Sequence, residues 1–380
     1  MVITALLFLT TLFVAYANGA NDNFKGVATL FGSDTATYRG AIALATVTTF
    51  AGALCSVYFA EALVHAFSGK GLVPDMVAAS PHFLLAVAAG AGAAVILATA
   101  LGQPVSTTHA LTGGLVGAGL LAAGPQLNLA RLGSGFFAPL LLAPALAVLL
   151  TIPFYRALRA LAGRLGIQRE SCICVGARRF IPVRQLQYNA TLPQYTMPAL
   201  APAGVDLTVG THKDCVEKYD GRLLGVSAQS LVNGLHYLSA GTVSFARGLN
   251  DTPKIVGLLL IVEALQIELG MLAIATAMAV GGLLNARKVA ITMSRRIARM
   301  NDGQALTANM VTGLLVILAS RLGLPVSTTH VAVSAISGIG LANGSADKGV
   351  IGGILASWLL TLPVAAAIGA LSYALLALFI

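Results

Sequence analysis

The chain has 380 residues, of which 57% are hydrophobic and only 10% are charged. A soluble domain carries roughly 25% charged residues, so this composition excludes an ordinary soluble protein. The apolar segments are continuous rather than alternating, which excludes a transmembrane β-barrel. The net charge of +9 is explained by basic loops that orient a membrane protein, and no nucleic-acid partner is expected. We predict an all-α polytopic membrane protein.

Apolar runs of about 17–25 residues are long enough to cross a bilayer. The sequence contains ten such runs, near 1–17, 40–62, 83–101, 105–123, 136–155, 223–246, 255–280, 304–320, 326–342 and 350–380. The last is long, and we expect an interruption at Pro363. The first run could be a cleaved signal peptide, but no Lys or Arg precedes Lys25, so we predict a true span.

Two polar motifs interrupt these runs, and each occurs once in either half of the chain. The segment G-A-N-D-N-F-K at 19–25 is echoed by G-L-N-D-T-P-K at 248–254. The segment P-V-S-T-T-H at 104–109 recurs without change at 325–330. The copies come in the same order, which indicates an internal duplication. A polar motif kept in both halves of a membrane protein points to a site at the repeat interface.

The duplication divides the chain into a first transmembrane repeat (1–155), a linker or small domain (156–222) and a second transmembrane repeat (223–380). Five predicted crossings separate the first motif from its copy, and five is odd. We therefore predict two inverted-topology repeats of about five to six helices each, with broken helices or hairpins at their interface. If 105–123 is re-entrant, short compensating segments are needed near 26–36.

Basic residues crowd the linker and the segment 287–299. The positive-inside rule places both in the cytoplasm, which puts both termini outside. Arg39 should then face the cytoplasm, while His82 and Arg131 face outward. Four linker residues could bind zinc, although reduced thiols in a cytoplasmic loop are the favoured interpretation: Cys172, Cys174, His212 and Cys215.

The repeated P-V-S-T-T-H segments have the features of helix starts. Pro104 and Pro325 suit the first turn, where a missing N–H costs nothing. The positive end of a helix with free N–H groups favours anions. The hydroxyls that follow could donate to a tetrahedral oxyanion or bond back to their own helix: Ser106, Thr107, Thr108, Ser327, Thr328 and Thr329. His109 and His330 lie one turn later, where packing or hydrogen bonding behind the site is expected.

Each copy of the other motif holds an acid and a base three residues apart, hence on one helical face. These pairs are Asp22 with Lys25 and Asp251 with Lys254. An ionised side chain at the membrane centre costs at least about 2.5–3.5 kcal/mol, so such residues usually line a cavity or ion path. The alternative is an interfacial pair that anchors a helix end. Three glutamates are further possible proton carriers: Glu61, Glu263 and Glu268.

The paired motifs resemble those of the inorganic phosphate transporter (PiT) family, over roughly 1–155 and 223–380. The resemblance implies inverted repeats, a cytoplasmic loop, and phosphate symport driven by Na⁺ or H⁺, usually by a homodimer. Carried over by position, the residues around the anion would be Asp22, Ser106, Thr107, Thr108, Asp251, Ser327, Thr328 and Thr329. Asn21 and Asn250, with Asp22 and Asp251, would hold the coupling cation.

Two departures from the family pattern concern the coupling ion. The family usually has Asn where both copies here have lysine, at Lys25 and Lys254, and often an acidic residue where this chain has Ala51. An ammonium can occupy the place of a metal cation and binds oxyanions as a point charge. We therefore add both lysines to the anion site and favour protons over Na⁺, carried by Asp22 or Asp251.

These arguments predict a cation-coupled phosphate symporter in the cell (inner) membrane, surrounded by lipid and without a cofactor beyond its coupling ion. One alternative is a permease of the same fold for sulfate or another oxyanion. An alternative of another class is an anion channel or a membrane enzyme. The sequence contains no Walker motif, nucleophile elbow or H-E-x-x-H, so an enzyme is not expected.

Overall fold

The structure, a computed structural model, describes residues 2–59, 61–164, 222–223, 226–262 and 266–379. These residues form an almost entirely helical bundle, which confirms the predicted fold class. Two short strands, β1 (Arg222–Leu223) and β2 (Val226–Ser227), pair antiparallel directly before the first long helix of the second half. The helices are α1 (Val2–Asp22), α2 (Ala28–Gly32), α3 (Tyr38–Phe59), α4 (Glu61–Ala66), α5 (Asp75–Ala78), α6 (Pro81–Ala100), α7 (Thr107–Ala123), α8 (Leu129–Leu132), α9 (Ala138–Arg164), α10 (Ala228–Val256), α11 (Ile267–Asn285), α12 (Arg287–Ile291), α13 (Asp302–Arg321), α14 (Thr328–Asn343) and α15 (Lys348–Leu376).

Among the described residues, seven helical segments are long and apolar enough to cross a membrane. They are Val2–Gly32, Tyr38–Ser56, Pro81–Ala100, Leu129–Leu161, Ile267–Asn285, Asp302–Arg321 and Lys348–Leu376. Their outer faces carry exposed leucines, such as Leu141 on α9 and Leu359 on α15. Exposed leucines are stable against lipid tails, which are as apolar as they are. The chain is a multi-pass membrane protein.

Several of the ten predicted crossings differ from the helices observed. The run 255–280 is wrong in its bounds, because α10 ends at Val256 and α11 begins at Ile267. The predicted interruption at Pro363 is also wrong, since α15 continues through this residue. The freed backbone groups of a proline can be satisfied by neighbours inside a membrane bundle. Helix α9 continues to Arg164, beyond the predicted end of the first repeat at 155.

Three further runs form helices outside the seven. Helices α7 and α14 have 17 and 16 residues, and at 1.5 Å per residue each spans only about 25 Å. Helix α10 has 29 residues but carries the second polar motif. Short helical segments at 25–27 and 28–32 lie where a re-entrant first half would need them. The inverted orientation of the two repeats stays a prediction.

The long helices of the first half make contacts that long helices of the second half repeat. Helix α1 packs on α6 and α11, and α10 packs on α13 and α3. Helix α7 packs on α15, and α14 packs on α9. The halves therefore exchange partners, so that every motif-bearing helix contacts the opposite repeat. The repeated motifs are brought to the centre by this exchange.

Glycine in the repeated motif permits two of the close approaches between helices. A Cβ added at Gly19 would stand 1.9 Å from the carbonyl oxygen of Met278, and one added at Gly248 would stand 2.0 Å from that of Thr49. The helices that face these positions also carry glycines at the contact. Gly281 packs on the backbone carbonyl of Tyr16, and Gly52 packs on that of Phe245. Only a residue without a Cβ lets two backbones come so near. These contacts fix the depth at which the following Asn-Asp pair enters the core.

Candidate functional site: a cluster shared by both repeats

The repeated P-V-S-T-T-H segments form helix starts as predicted. The hydroxyl of Ser106 accepts the N–H of His109 at 3.1 Å, and that of Ser327 accepts the N–H of His330 at 3.2 Å. Each serine is thus the N-cap of its helix, α7 or α14. A hydroxyl that accepts one bond keeps its own hydrogen for another partner. The cap and a contact with an anion are therefore compatible.

The two helix starts contact each other through their second threonines. The hydroxyl of Thr108 donates to the carbonyl of Val326 at 3.2 Å, and that of Thr329 donates to the carbonyl of Val105 at 2.8 Å. Both threonines are buried. The duplicated motifs therefore lie at one place in the core, as the repeat argument predicted.

A buried lysine from each half enters this contact. The ammonium of Lys25 donates to the Val105 carbonyl at 2.8 Å and bonds to the carboxylate of Asp22 and the hydroxyl of Thr329. Lys25 is 2% exposed. Burial of the charge argues against the alternative in which the Asp–Lys pair only anchors a helix end at the interface.

Lys254 repeats this arrangement in the second half. Its ammonium donates to the Val326 carbonyl at 2.6 Å and to the Thr108 hydroxyl at 2.8 Å. The carboxylate of Asp251 lies 3.4 Å away. Each lysine thus bonds to a carbonyl of its own half and a threonine of the other half. Two positive charges stand at the junction between the halves.

The remaining threonines of the motifs lie against the two carboxylates. The hydroxyl of Thr107 is 3.4 Å from Asp22, and that of Thr328 is 3.5 Å from Asp251. Hydroxyls, ammonium groups and carboxylates from both repeats are therefore within reach of one small volume. Such a set can donate to an oxyanion and accept a hydrogen bond from its proton.

Asn21 and Asn250 hold the helix starts in place. The Asn21 amide donates to Thr99 and to the Gln103 carbonyl, both at 2.9 Å. Its oxygen accepts the N–H of Val105 and the ammonium of Lys25, both at 3.1 Å. The oxygen that would ligate a metal cation therefore faces two donors.

Asn250 bonds to the corresponding parts of the second half, with its amide nitrogen and oxygen in exchanged roles. Its amide nitrogen donates to the Val326 carbonyl at 3.2 Å, and its oxygen accepts the Ser320 hydroxyl at 3.1 Å. Each asparagine therefore bonds both to the end of one helix, α6 or α13, and to the segment before the following helix, α7 or α14.

Arg247 is a component of this cluster that the sequence analysis missed. It is 1% exposed, and its Nε lies 3.6 Å from the Asp251 carboxylate. Its Nη1 donates to the side-chain oxygen of Asn23 at 3.0 Å. Arg247 stands directly before the motif glycine, near the end of a predicted apolar run. A charged residue at that position was a signal for a functional role.

Asn18 occupies the position before the glycine in the first half, and it was missed as well. Its amide nitrogen donates to Thr107 at 2.9 Å, to Asp22 at 3.2 Å and to Asp251 at 3.3 Å. Its oxygen accepts a bond from Arg247. One side chain therefore links the carboxylates of both halves. With their ordinary charges, the two carboxylates are outnumbered by the three cations Lys25, Lys254 and Arg247.

The two motif histidines meet behind the helix starts. His109 Nδ1 lies 3.1 Å from His330 Nε2, and the ring centroids are 4.5 Å apart. The ring of His330 also stacks on Trp358 at 3.8 Å. The indole N–H of Trp358 donates to the carbonyl of Pro104 at 3.0 Å. These rings therefore pack together and hold the helix starts, while a role behind an anion site stays a prediction.

Most of the other candidates from the sequence cannot be compared with the cluster, because they fall outside the described residues. The possible zinc ligands Cys172, Cys174, His212 and Cys215 fall outside the described residues, as does Glu263. Glu268 is exposed at the start of α11. Within the ranges that the structure covers, no group of three His, Cys, Asp or Glu residues could hold a metal ion.

Known proteins with a similar sequence share the whole length of the chain. A protein named a phosphate permease in Pyrococcus abyssi is 27% identical over 98% of this chain and 97% of its own. The chloroplastic inorganic phosphate transporter 2-1 of Arabidopsis thaliana is 28% identical over 96% of this chain and 71% of its own. Both similarities include the linker as well as the helical halves.

A solved structure supports the fold. A sodium-dependent phosphate transporter matches with a TM-score of 0.76 and 22% identity, over 100% of both chains. The profile of the phosphate transporter family matches residues 18–369, which include both copies of both motifs. The families that match consist of transporters and permeases rather than enzymes. The chain belongs to the phosphate transporter family.

Proposed function

We propose that this protein is a secondary active transporter that binds inorganic phosphate at the cluster shared by its two repeats. The observation that carries the proposal is the meeting of Lys25 and Lys254 with the hydroxyls of the opposite helix start. An anion there can be held by donors from both halves. Movement of one half relative to the other can then open the site to either side. Family membership supports phosphate as the substrate.

The coupling ion in this proposal is the proton rather than Na⁺. The ammonium of Lys25 lies 3.1 Å from the Asn21 oxygen, where a metal cation would need that oxygen. Two like charges about 4 Å apart repel by roughly 4 kcal/mol at an effective dielectric near 20. The sodium dependence in the name of the solved relative belongs to that protein, because 22% identity carries the fold alone.

Sulfate or another oxyanion is the second candidate substrate. The observation that favours it is the excess of cationic side chains over carboxylates in the cluster. Phosphate carries a proton that can be donated to Asp22 or Asp251, whereas sulfate at neutral pH has none. The three cations, Arg247 included, could offset that lack by neutralising both carboxylates. Competition between unlabelled sulfate and labelled phosphate distinguishes the two substrates.

The remaining proposals concern arrangement in the membrane. We propose inverted repeats in the cell (inner) membrane, both termini outside, the linker cytoplasmic, and a homodimer. Duplicated helix contacts support the repeats. Cysteine labelling from each side tests the orientation, with Arg39→Cys expected on the linker side and Arg131→Cys on the other. Both residues are exposed, and labelling of both from one side would contradict inversion.

Radiolabelled phosphate uptake into proteoliposomes tests the function. A pH gradient with the acidic solution outside and a Na⁺ gradient directed inward are imposed in separate experiments. Liposomes without protein give the background. We expect uptake above background that follows the pH gradient and ignores Na⁺. Uptake that needs Na⁺ and ignores pH would reject proton coupling, while no saturable uptake under either gradient would reject phosphate transport. Current without saturation would instead indicate a channel.

A further inference from the structure

We call the site shared by the two repeats the anion cluster; its central residues are Asp22, Lys25, Thr108, Asp251, Lys254 and Thr329. A second buried polar network lies between α2, α10 and α13. His236 on α10 is fully buried, and its Nε2 lies 3.0 Å from the hydroxyl of Thr29. Its Nδ1 has no hydrogen-bond partner and stands 3.7 Å from the carboxylate of Asp302. A buried imidazole nitrogen without a partner is costly unless it gains a proton or moves closer to an acceptor.

Asp302 connects this histidine to the surface. It is the first residue of α13, which begins with a capping box formed by Asn301 and Gln304. Its side chain is 11% exposed. One carboxylate oxygen accepts Gln229 at 2.7 Å, and the other accepts the hydroxyl of Thr35. The carboxylate is therefore held by neutral donors while it faces both His236 and water.

The inner end of the network approaches the anion cluster. Asn309 on α13 donates to Thr29 at 2.9 Å and lies 3.4 Å from Ser239. Thr29 follows Lys25 by one helical turn, and Lys25 belongs to the anion cluster. A line of polar groups therefore runs from the surface at Asp302 through His236 and Thr29 toward the cluster.

The equivalent positions in the other half are apolar. Counted from the Asn-Asp motifs, His236 stands 15 residues before Asp251, as Leu7 stands 15 before Asp22. Thr29 corresponds in the same way to Leu258, and Asn309 corresponds to Ala88 when counted from the P-V-S-T-T-H copies. Leu7, Ala88 and Leu258 are fully buried in one hydrophobic cluster. The duplication kept the anion cluster in both halves but built the polar network on one side only.

We propose that His236 and Asp302 form the relay through which the coupling proton leaves the anion cluster for water on the side predicted to be cytoplasmic. This rests on the proton coupling proposed above. Histidine is the side chain that ordinarily changes charge near neutral pH. A proton that reaches the ring along the polar line from the anion cluster would be held at Nδ1 against the Asp302 carboxylate as an ion pair. Its release to water at Asp302 would restore the neutral ring. Asp22 and Asp251, in contrast, already accept bonds from ammonium groups.

The other charged or titratable groups on the elements packed against α10 contact it at places other than His236. The start of α3 carries Tyr38 and the exposed Arg39, and Tyr237 donates its hydroxyl to the Thr35 carbonyl at 3.1 Å. Helices α4 and α11 meet α10 toward its other end. The charged groups that interact with α10 at the anion cluster are Asp22 and Lys25, which lie near Arg247 and Asp251. Asp302 is therefore the carboxylate that faces His236.

The His236–Asp302 site lies on the side predicted to be cytoplasmic. It would therefore act in the step of the transport cycle that releases phosphate. Helices α2, α10 and α13 come together there, and the network joins all three. A bound proton would tie α10 to α13 through the ion pair. Loss of the proton would remove the ion pair and leave hydrogen bonds such as that from Gln229 to Asp302, so that this end can open and release phosphate.

The test applies two assays to each variant, one that measures transport and one that measures proton coupling. His236→Gln keeps a nitrogen donor for Thr29 but cannot titrate, and Asp302→Asn keeps the shape of the carboxylate without its charge. His82→Gln, outside the network, is the matched control. Phosphate exchange at equal pH on both sides measures transport alone. Accumulation under an imposed pH gradient measures coupling, and each pH unit sustains about a tenfold phosphate gradient per proton.

We expect His236→Gln and Asp302→Asn to keep exchange while gradient-driven accumulation falls from about tenfold to none. Proton uptake on phosphate addition, followed with a pH-sensitive dye in weak buffer, should disappear in the same variants. Normal accumulation in His236→Gln overturns the proposal, and so does loss of exchange in a variant that folds normally. If His236→Gln does not fold, Asp302→Asn must show the same split. A wild-type protein that exchanges phosphate but ignores pH instead rejects proton coupling itself.

Discussion

The two halves of the molecule carry the same motifs but surround them with different side chains. In both, a lysine and a pair of threonines meet at the centre. Beyond that centre, the second half has Arg247 and His236 where the first has Asn18 and Leu7. A strictly symmetric pair of repeats could bind an anion but would treat both sides of the membrane alike. The shared residues therefore form the common part of the cluster, and the divergent ones make its two halves unequal.

The largest effect is expected where the repeats have no room to differ. Gly19→Ala and Gly248→Ala each place a Cβ about 2 Å from a backbone carbonyl oxygen, so we expect loss of folded protein or a fall in stability beyond about 3 kcal/mol. Thermal unfolding of purified protein is the measurement. Gly234→Ala on α10, with nothing within 4 Å, is the control. Unchanged melting of the motif variants would show that the close contacts are not required.

The two lysines test whether the halves are equivalent at the centre. Lys25→Asn and Lys254→Asn each remove one member of a buried ion pair, which costs about 3–5 kcal/mol. We expect both to weaken phosphate binding strongly, measured by isothermal titration calorimetry. Either variant, by restoring an amide oxygen, is also expected to gain Na⁺ dependence.

Lys70→Asn, at an exposed position, controls for charge alone. If one lysine variant binds phosphate like the wild type, the two halves do not share the site equally.

Arg247 tests the asymmetry directly. Arg247→Asn copies the residue type of the first half and removes the charge that outnumbers the carboxylates. A lost hydrogen bond to a charged group is worth about 1.5–3 kcal/mol, so phosphate affinity should fall by roughly one to two orders of magnitude. Arg131→Asn, at an exposed position, is the control. Wild-type affinity in Arg247→Asn would remove the arginine from the anion site.

The smallest effect is expected at the helix caps. Ser106→Ala and Ser327→Ala each remove a capping hydroxyl, which costs about 0.5–2 kcal/mol of stability. Each also removes a donor from the helix start, so weaker anion binding should accompany the lower melting temperature. Ser134→Ala, whose exposed hydroxyl bonds only within its own helix, is the control. Unchanged affinity in both cap variants would limit these serines to capping.

The sequence predicted the centre of the molecule better than its surroundings. Continuous apolar runs revealed the helices, and exact repetition revealed the motifs, because both signals are local. The bounds of α10 and α11 were missed, since an apolar run does not record where a helix breaks within it. Arg247, Asn18 and His236 were missed for a different reason. Their roles depend on contacts with the opposite half, and repetition cannot mark a position at which the copies differ.

The stacking of His330 on Trp358 has a practical consequence. Trp358 is the one tryptophan of the sequence, and its ring touches a histidine of one helix start while its N–H holds the carbonyl before the other. Indole emission depends on its immediate surroundings. The native protein therefore carries an intrinsic optical reporter at the junction of its halves. Stopped-flow fluorescence after addition of phosphate can test, without an attached dye, whether the surroundings of this residue change.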